Sequence, residues 1–516
     1  MSTEGAKRSF RRISQVKGQS KAQFLLRGNS CAFLSLEHLC IRRFFCLSEK
    51  KEVLKMEAIL TKIVAAINDV LWNKYLLLLF LLLGSGVYFS IRTRFVQVRK
   101  FGEGMRKVFG NISLNGKKAG KDGMSSFQAL ATAIAAQVGT GNIAGCASAL
   151  VAGGPGAVFW MWVSAFFGMA TIYGEAVLAQ KYKQVSSDGE VSGGPIYYIK
   201  AAFKGKLGSC LAVFFAVAII LALGFMGNMV QSNSIGDAFY TAFGIPKLVT
   251  GVIIAAIAAF IFLGGVKRIA SITEKLVPIM ACFYIIGSLI AIFMNAENIL
   301  PAFKAIFVGA FNPQAVLGGV IGVSIKEAMR FGVARGLFSN EAGMGSTPHA
   351  HAMAKVEKPQ DQGVVAMIGV FIDTFIVLTI TALVILTSGM VGTTGADGEM
   401  LTATALAQAA FNNSFGSFGN AFVAICLLFF AFSTIIGWYF FGESNVKALF
   451  KGNKAARTAY GVIAVVFIVI GSFQKVSLVW DMSDMFNGLM VIPNLLALLA
   501  LSGIVAKFAK DDDFHG

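Results

Sequence analysis

Apolar runs of membrane length recur along most of this 516-residue chain, and that recurrence constrains the fold more than any other feature. Eleven segments carry it: 72–91, 126–151, 156–182, 208–231, 248–265, 276–294, 328–348, 364–388, 417–441, 458–473 and 485–506. About 20 residues rising ~1.5 Å each span the ~30 Å hydrocarbon layer of a bilayer. Inside that layer every backbone N–H and C=O must be paired within the protein. The expected class is therefore an all-α integral membrane protein of about 11 transmembrane helices. Hydrophobic residues make up 56% of the chain and charged residues 14%, against about a quarter charged in a soluble domain. A net charge of +18 would suit nucleic acid. Here the basic residues cluster between apolar runs, so the expected partner is the lipid bilayer and not nucleic acid. Cys146, Cys210, Cys282 and Cys426 lie in apolar segments and read as packing residues.

Residues 1–55 break the pattern. They hold 12 Lys/Arg against 4 Asp/Glu and no apolar run of membrane length. They are expected to be a disordered basic extension or a mis-assigned start, with Met56 a plausible beginning. The loop 92–124 carries nine basic residues against two acids, which places it in the cytoplasm by the positive-inside rule. Alternation then puts the N-terminus outside and the C-terminus inside. Residues 56–124 read as a peripheral helix plus this loop, and 511–516 as a short acidic tail.

Two spans are interrupted. Segment 126–151 holds Gly139-Thr-Gly-Asn142 at its middle, and 328–348 holds Gly336-Leu-Phe-Ser-Asn-Glu-Ala-Gly-Met-Gly-Ser346 together with Arg330 and Arg335. Irregular backbone at membrane depth is tolerated where it is buried in protein or lines a cavity. Freed carbonyls there hold cations, and half-helix N-termini hold carboxylates. The competing reading is a glycine kink that lets two helices pack closely. Each interruption is followed by a long apolar helix bearing one acid: Asn142 to Glu175 is 33 residues, and so is Asn340 to Asp373. Paired interruptions in corresponding halves point to an inverted-repeat transporter.

The runs Gly139-Thr-Gly-Asn-Ile-Ala-Gly145, Gly153-Gly-Pro-Gly-Ala-Val-Phe-Trp-Met-Trp162, Gly168-Met-Ala with Glu175, and Gly332-Val-Ala-Arg-Gly-Leu-Phe-Ser-Asn-Glu-Ala-Gly-Met-Gly-Ser346 resemble the alanine or glycine:cation symporter family over about 60–510. The resemblance implies a LeuT-type fold: one extra N-terminal helix, then inverted repeats of five helices over 125–295 and 296–510. It implies symport of alanine or glycine with sodium, sometimes with a proton, across a bacterial or archaeal plasma membrane. No cofactor is implied beyond the co-transported sodium ion.

By the same resemblance, backbone carbonyls of Ala135 and Val138 and the hydroxyls of Ser433 and Thr434 would hold sodium, hard oxygens suiting a hard cation. For Ser433 and Thr434 the alternative is bonding back to their own helix. Thr140, Gly141 and Asn142 would meet the substrate carboxylate. Gln231 is a candidate for either charged end of the substrate, with Asn228 on its helical face. Ser339, Asn340 and Gly343 would supply the second broken helix. Trp438 would roof a small pocket, or else serve packing or an interfacial belt. Glu175 is expected to brace the inner gate. Asp373 would touch a cation or relay a proton, or else pair with Arg330 or Arg335. The main rival class is a channel, whose filter usually comes from repeated subunits. No Ser/His/Asp, HExxH or paired-carboxylate arrangement appears in the spans, so an enzyme is not expected.

Overall fold

A computed structural model describes residues 59–110, 123–185, 191–312, 324–395, 398–474 and 476–511. The expectations for residues 1–55 lie outside these, as do those for most of the short tail. The chain divides into Met1–Ile63 and Val64–Gly516, and the site described below belongs to the second unit.

Among the described residues, eight helices are long and apolar enough to cross a membrane: Ile59–Arg92, Gly156–Lys181, Gly205–Phe243, Gly265–Met294, Pro359–Thr387, Phe418–Leu449, Lys454–Phe473 and Val479–Ala500. A ninth is a bent pair, Ser126–Gln137 and Gly141–Gly153, meeting at 46°. The two remaining apolar segments are also helical but fall short. Lys247–Phe262 has only 16 residues. The 328–348 segment is Ile325–Asn340, an irregular stretch, and then Pro348–Met353. Two shorter helices, Ile299–Phe311 and Ala403–Phe415, join spans. The outer faces carry Phe80, Phe260, Leu263, Phe293 and Val462, an apolar surface suited to hydrocarbon. Cys146 and Cys426 are buried, whereas Cys210 and Cys282 are exposed, so only the first pair packs inside.

Together with the π-helical segments Gly141–Gly145 and Phe371–Leu378, nine α-helices build the site. They are α1 (Ser126–Gln137), α2 (Cys146–Gly153), α3 (Gly156–Lys181), α4 (Asn228–Phe243), α5 (Ile325–Asn340), α6 (Pro348–Met353), α7 (Pro359–Val370), α8 (Phe418–Leu449) and α9 (Val476–Ala500). α3 packs along α5 and α7, and α4 along α8. α1 and α5 start alike. Ser125 and Gln128 form a capping box on α1, and Ser324 and Glu327 form one on α5. Each box satisfies two N–H groups that a helix start leaves open.

The two interruptions end differently. α1 stops at Gln137 because Val138 turns to an extended conformation (ψ 90°), and Asn142 Oδ1 then accepts from the Gly139 N–H at 2.9 Å. α5 stops at Asn340 because Glu341 is left-handed (φ 59°), followed by Gly343 (φ 88°) and Gly345 (φ 80°). Positive φ is where glycine is tolerated without strain. The segments flanking these breaks are stapled by backbone. The Met124 N–H donates to Met353 O, and the Lys355 N–H donates to Met124 O, each at 3.0 Å.

Candidate transport site

At the α1 break the Ala135 and Val138 carbonyls lose their helical partners and turn toward α8. Thr434 Oγ1 lies 2.9 Å from Ala135 O and 3.4 Å from Val138 O. Ser433 Oγ lies 3.3 Å from Ala135 O. All four residues named from the sequence as a cation set therefore converge, and all are buried. Both hydroxyls also bond back to Phe430 O, Ser433 at 2.8 Å and Thr434 at 3.0 Å. The two readings of these side chains are thus compatible, since one oxygen faces its own helix and the break at once. The fit requires glycine at 139. A Cβ there would stand 2.4 Å from Thr434 Oγ1 and 3.1 Å from Gln231 Oε1.

Gln231, on α4, reaches the same break. Its Oε1 accepts from the Thr140 N–H at 3.1 Å, while its Nε2 and the Thr140 hydroxyl are buried with no hydrogen-bond partner. Orphaned buried polar atoms are rare in native proteins and call for an explanation. Asn228 does not join Gln231 there. Its amide donates to Gly224 O in the preceding turn, which satisfies its own helix.

Asp373 holds the two interruptions together. Its carboxylate accepts from Asn142 Nδ2 (2.6 Å), Ser339 Oγ (2.9 Å) and Thr374 Oγ1 (2.8 Å). Asn340 donates to Thr374 Oγ1 and receives Gln137 Nε2 on its carbonyl. Gly141 lies against Ser339, and a Cβ there would be 3.2 Å from the Ser339 backbone. Pairing of Asp373 with Arg330 or Arg335 is not what the structure contains. Arg335 forms a two-pronged pair with Asp484 on α9, at 2.7 and 2.8 Å, and lies over the Trp480 ring. Arg330 lies over Phe331. A guanidinium finds better company beside the part-exposed Asp484 than beside a deeply buried carboxylate.

Glu175 crosses from α3 to the second interruption. It accepts from the Gly343 and Gly345 N–H groups (3.0 and 2.9 Å) and from Asn494 Nδ2 (2.7 Å). Asn494 also donates to Gly343 O and accepts from Tyr198. Gly343 is accordingly engaged by α3 and α9 rather than placed beside Thr140 and Gln231. Each acid of the 33-residue pair thus reaches the interruption of the other half, and Asp373 bonds its own half as well.

Trp438 is buried, which excludes the lipid-belt alternative. Its indole N–H donates to Glu341, and its ring meets Phe338 edge-on at 5.6 Å between centroids. Phe338 in turn packs on Trp480 at 4.8 Å, and Arg335 covers Trp480. An aromatic stack thus runs from the buried site to the Arg335–Asp484 pair. Glu341, Gln137, Thr374 and Asn494 were not singled out from the sequence. The available signals were an acid between two glycines in an interrupted span, and an Asn directly after Pro493 in an apolar one.

The profile of the sodium:alanine symporter family matches residues 56–514. The chain belongs to that family. It is 43% identical over 451 residues to the sodium/alanine symporter AgcS of Methanococcus maripaludis, covering 87% of this chain and 96% of that one. It is 41% identical over 456 residues to a probable sodium/glutamine symporter, GlnT, of Bacillus subtilis, covering 88% of this chain and 91% of that one. In fold it matches MhsT, solved with L-phenylalanine, at a TM-score of 0.52 and 14% identity, over 76% of this chain and 99% of that one. The architecture is therefore LeuT-type. The family is one of secondary transporters, and the protein is a multi-pass membrane carrier rather than an enzyme.

Proposed function

We propose that this chain carries alanine, glycine or both into the cell together with sodium, by alternating access around the two interruptions. The observation that carries the reading is the convergence of the Ala135 and Val138 carbonyls with the Ser433 and Thr434 hydroxyls at a broken helix. Uncharged hard oxygens in a buried setting suit an alkali cation. Thr140, Gly141, Asn142 and Gln231 lie on the same break, where the unpartnered Thr140 hydroxyl and Gln231 amide offer donors to a carboxylate. Ser339 and Asn340 supply the facing edge. The relatives' names divide between alanine and glutamine at similar identity, so the preference for a small side chain rests on Trp438 and the close-packed glycines. Asp373, beside Asn142, is the acid that would answer to the cation, and Glu175 the one that holds the second interruption in shape. The membrane would be a bacterial or archaeal plasma membrane, with the N-terminus outside and the C-terminus in the cytoplasm.

Uptake of labelled alanine and glycine into proteoliposomes tests the proposal. An inward sodium gradient should drive saturable accumulation. Accumulation driven by a proton gradient alone would favour proton coupling, and flux that never saturates would favour a channel.

A further inference from the structure

Three carboxylates, Glu175, Asp373 and Glu341, are fully buried in the site, and among the described residues none forms an ion pair. An ionised carboxylate offers about four acceptor positions. Glu175 receives two backbone amides and one side-chain amide. Asp373 receives Asn142, Ser339 and Thr374. Among the described residues, Glu341 receives only two donors, the Ser346 hydroxyl at 2.6 Å and the Trp438 indole. Accepting an indole and a hydroxyl does not require a charge, since a glutamine carbonyl would serve. A buried charge left without a partner is expensive, so an ionised Glu341 would call for a cation the protein does not supply.

Its position says which cation. Trp438 lies four residues, one helical turn, beyond Thr434 on α8. Gly227, against which Trp438 packs so closely that a Cβ would meet the ring at 2.5 Å, lies one turn before Gln231. Trp438, whose indole N–H donates to Glu341, therefore starts one turn from the layer of Thr434, Gln231 and Thr140, whose unpartnered Gln231 Nε2 and Thr140 Oγ1 suit a carboxylate. An α-amino acid carries a carboxylate and an ammonium only a few ångströms apart. Sodium fits Glu341 poorly, because its neighbours there are an N–H, an O–H and aromatic rings rather than several oxygens. An ammonium gains from the carboxylate directly, by a charge-assisted hydrogen bond.

We propose that Glu341 receives the substrate's ammonium group, so that the carrier reads both charged ends of an amino acid between Glu341 and the Thr140–Gln231 pair. This rests on the amino-acid-carrier reading above. The test uses the full chain in proteoliposomes, with L-alanine as substrate and propionate as competitor. Propionate keeps the carboxylate and carbon skeleton and lacks the ammonium. In Glu341→Gln the alanine concentration for half-maximal uptake should rise about tenfold or more. Propionate inhibition and the sodium requirement at saturating alanine should stay unchanged. Glu341→Asp, which keeps the charge and shortens the arm, should weaken alanine selectively, and it carries the test where the glutamine variant does not fold. Retained preference for alanine over propionate in a folded variant overturns the proposal. So does a change confined to the sodium requirement, or one confined to the pH profile. A wild type that takes up no alanine on a sodium gradient instead overturns the carrier reading.

Discussion

Thr434→Val is the sharpest perturbation of the proposed cation site, because it removes one oxygen and keeps the shape of the side chain. Thr434 Oγ1 is the only side-chain atom among the described hydrogen bonds that reaches both Ala135 O and Val138 O, at 2.9 and 3.4 Å. Valine leaves those carbonyls buried beside a methyl group. Losing a partner to a charged group costs about 1.5–3 kcal/mol, and each 1.4 kcal/mol is about tenfold in affinity. The sodium concentration for half-maximal alanine uptake should therefore rise roughly 10- to 150-fold. Because sodium and alanine affinities are linked reciprocally, alanine affinity should fall at low sodium and recover at saturating sodium. Thr434→Ser keeps the oxygen and should stay near wild type. The assay is initial-rate uptake into proteoliposomes across a matrix of sodium and alanine concentrations. An unchanged sodium requirement in the valine variant, with alanine affinity altered at every sodium level, would place the cation elsewhere and refute the reasoning.

Three further outcomes are expected. Gly139→Ala forces a Cβ to within 2.4 Å of Thr434 Oγ1; overpacking of that kind costs about 1–3 kcal/mol, and sodium-driven uptake should fall sharply while the protein still inserts, which membrane fractionation checks. Trp438→Ala empties a buried indole at a cost of about 3–5 kcal/mol in stability and should let unlabelled leucine compete with alanine, whereas wild type should resist leucine. Asp484→Asn breaks the two-pronged Arg335 pair; the maximal uptake rate should fall with the sodium requirement unchanged, and a shifted sodium requirement would tie the pair to the cation site instead.

The membrane class and the two interruptions are legible in the sequence because hydrophobic length and glycine placement are local properties. The convergence of Ala135 and Val138 on Ser433 and Thr434 is legible only through a family resemblance, since nothing local links positions nearly 300 residues apart. Span counting meets its limit at 328–348, where Arg330, Arg335 and Glu341 lower the hydropathy of a segment that the fold nevertheless encloses. Asp373 shows why partners were harder to read than positions. Arginines 38 and 43 residues upstream were sensible candidates by charge, but the fold directs Arg335 to α9 and surrounds Asp373 with hydroxyls and amides. Asn228 illustrates the same limit at short range. A shared helical face does not decide whether a side chain turns outward or bonds to its own backbone. Glu341 was visible as a charge but carried no role, because its worth depends on Trp438, almost 100 residues downstream.

The staple between Met124 and the 353–355 strand of chain has a consequence for fidelity. Two hydrogen bonds yoke the lead-in to the first discontinuous segment to the lead-out of the second. A carrier whose segments flexed independently could swing over with sodium aboard and no passenger, dissipating the ion gradient as slip. Yoked in this way, the two discontinuous segments are tied to turn as one lever.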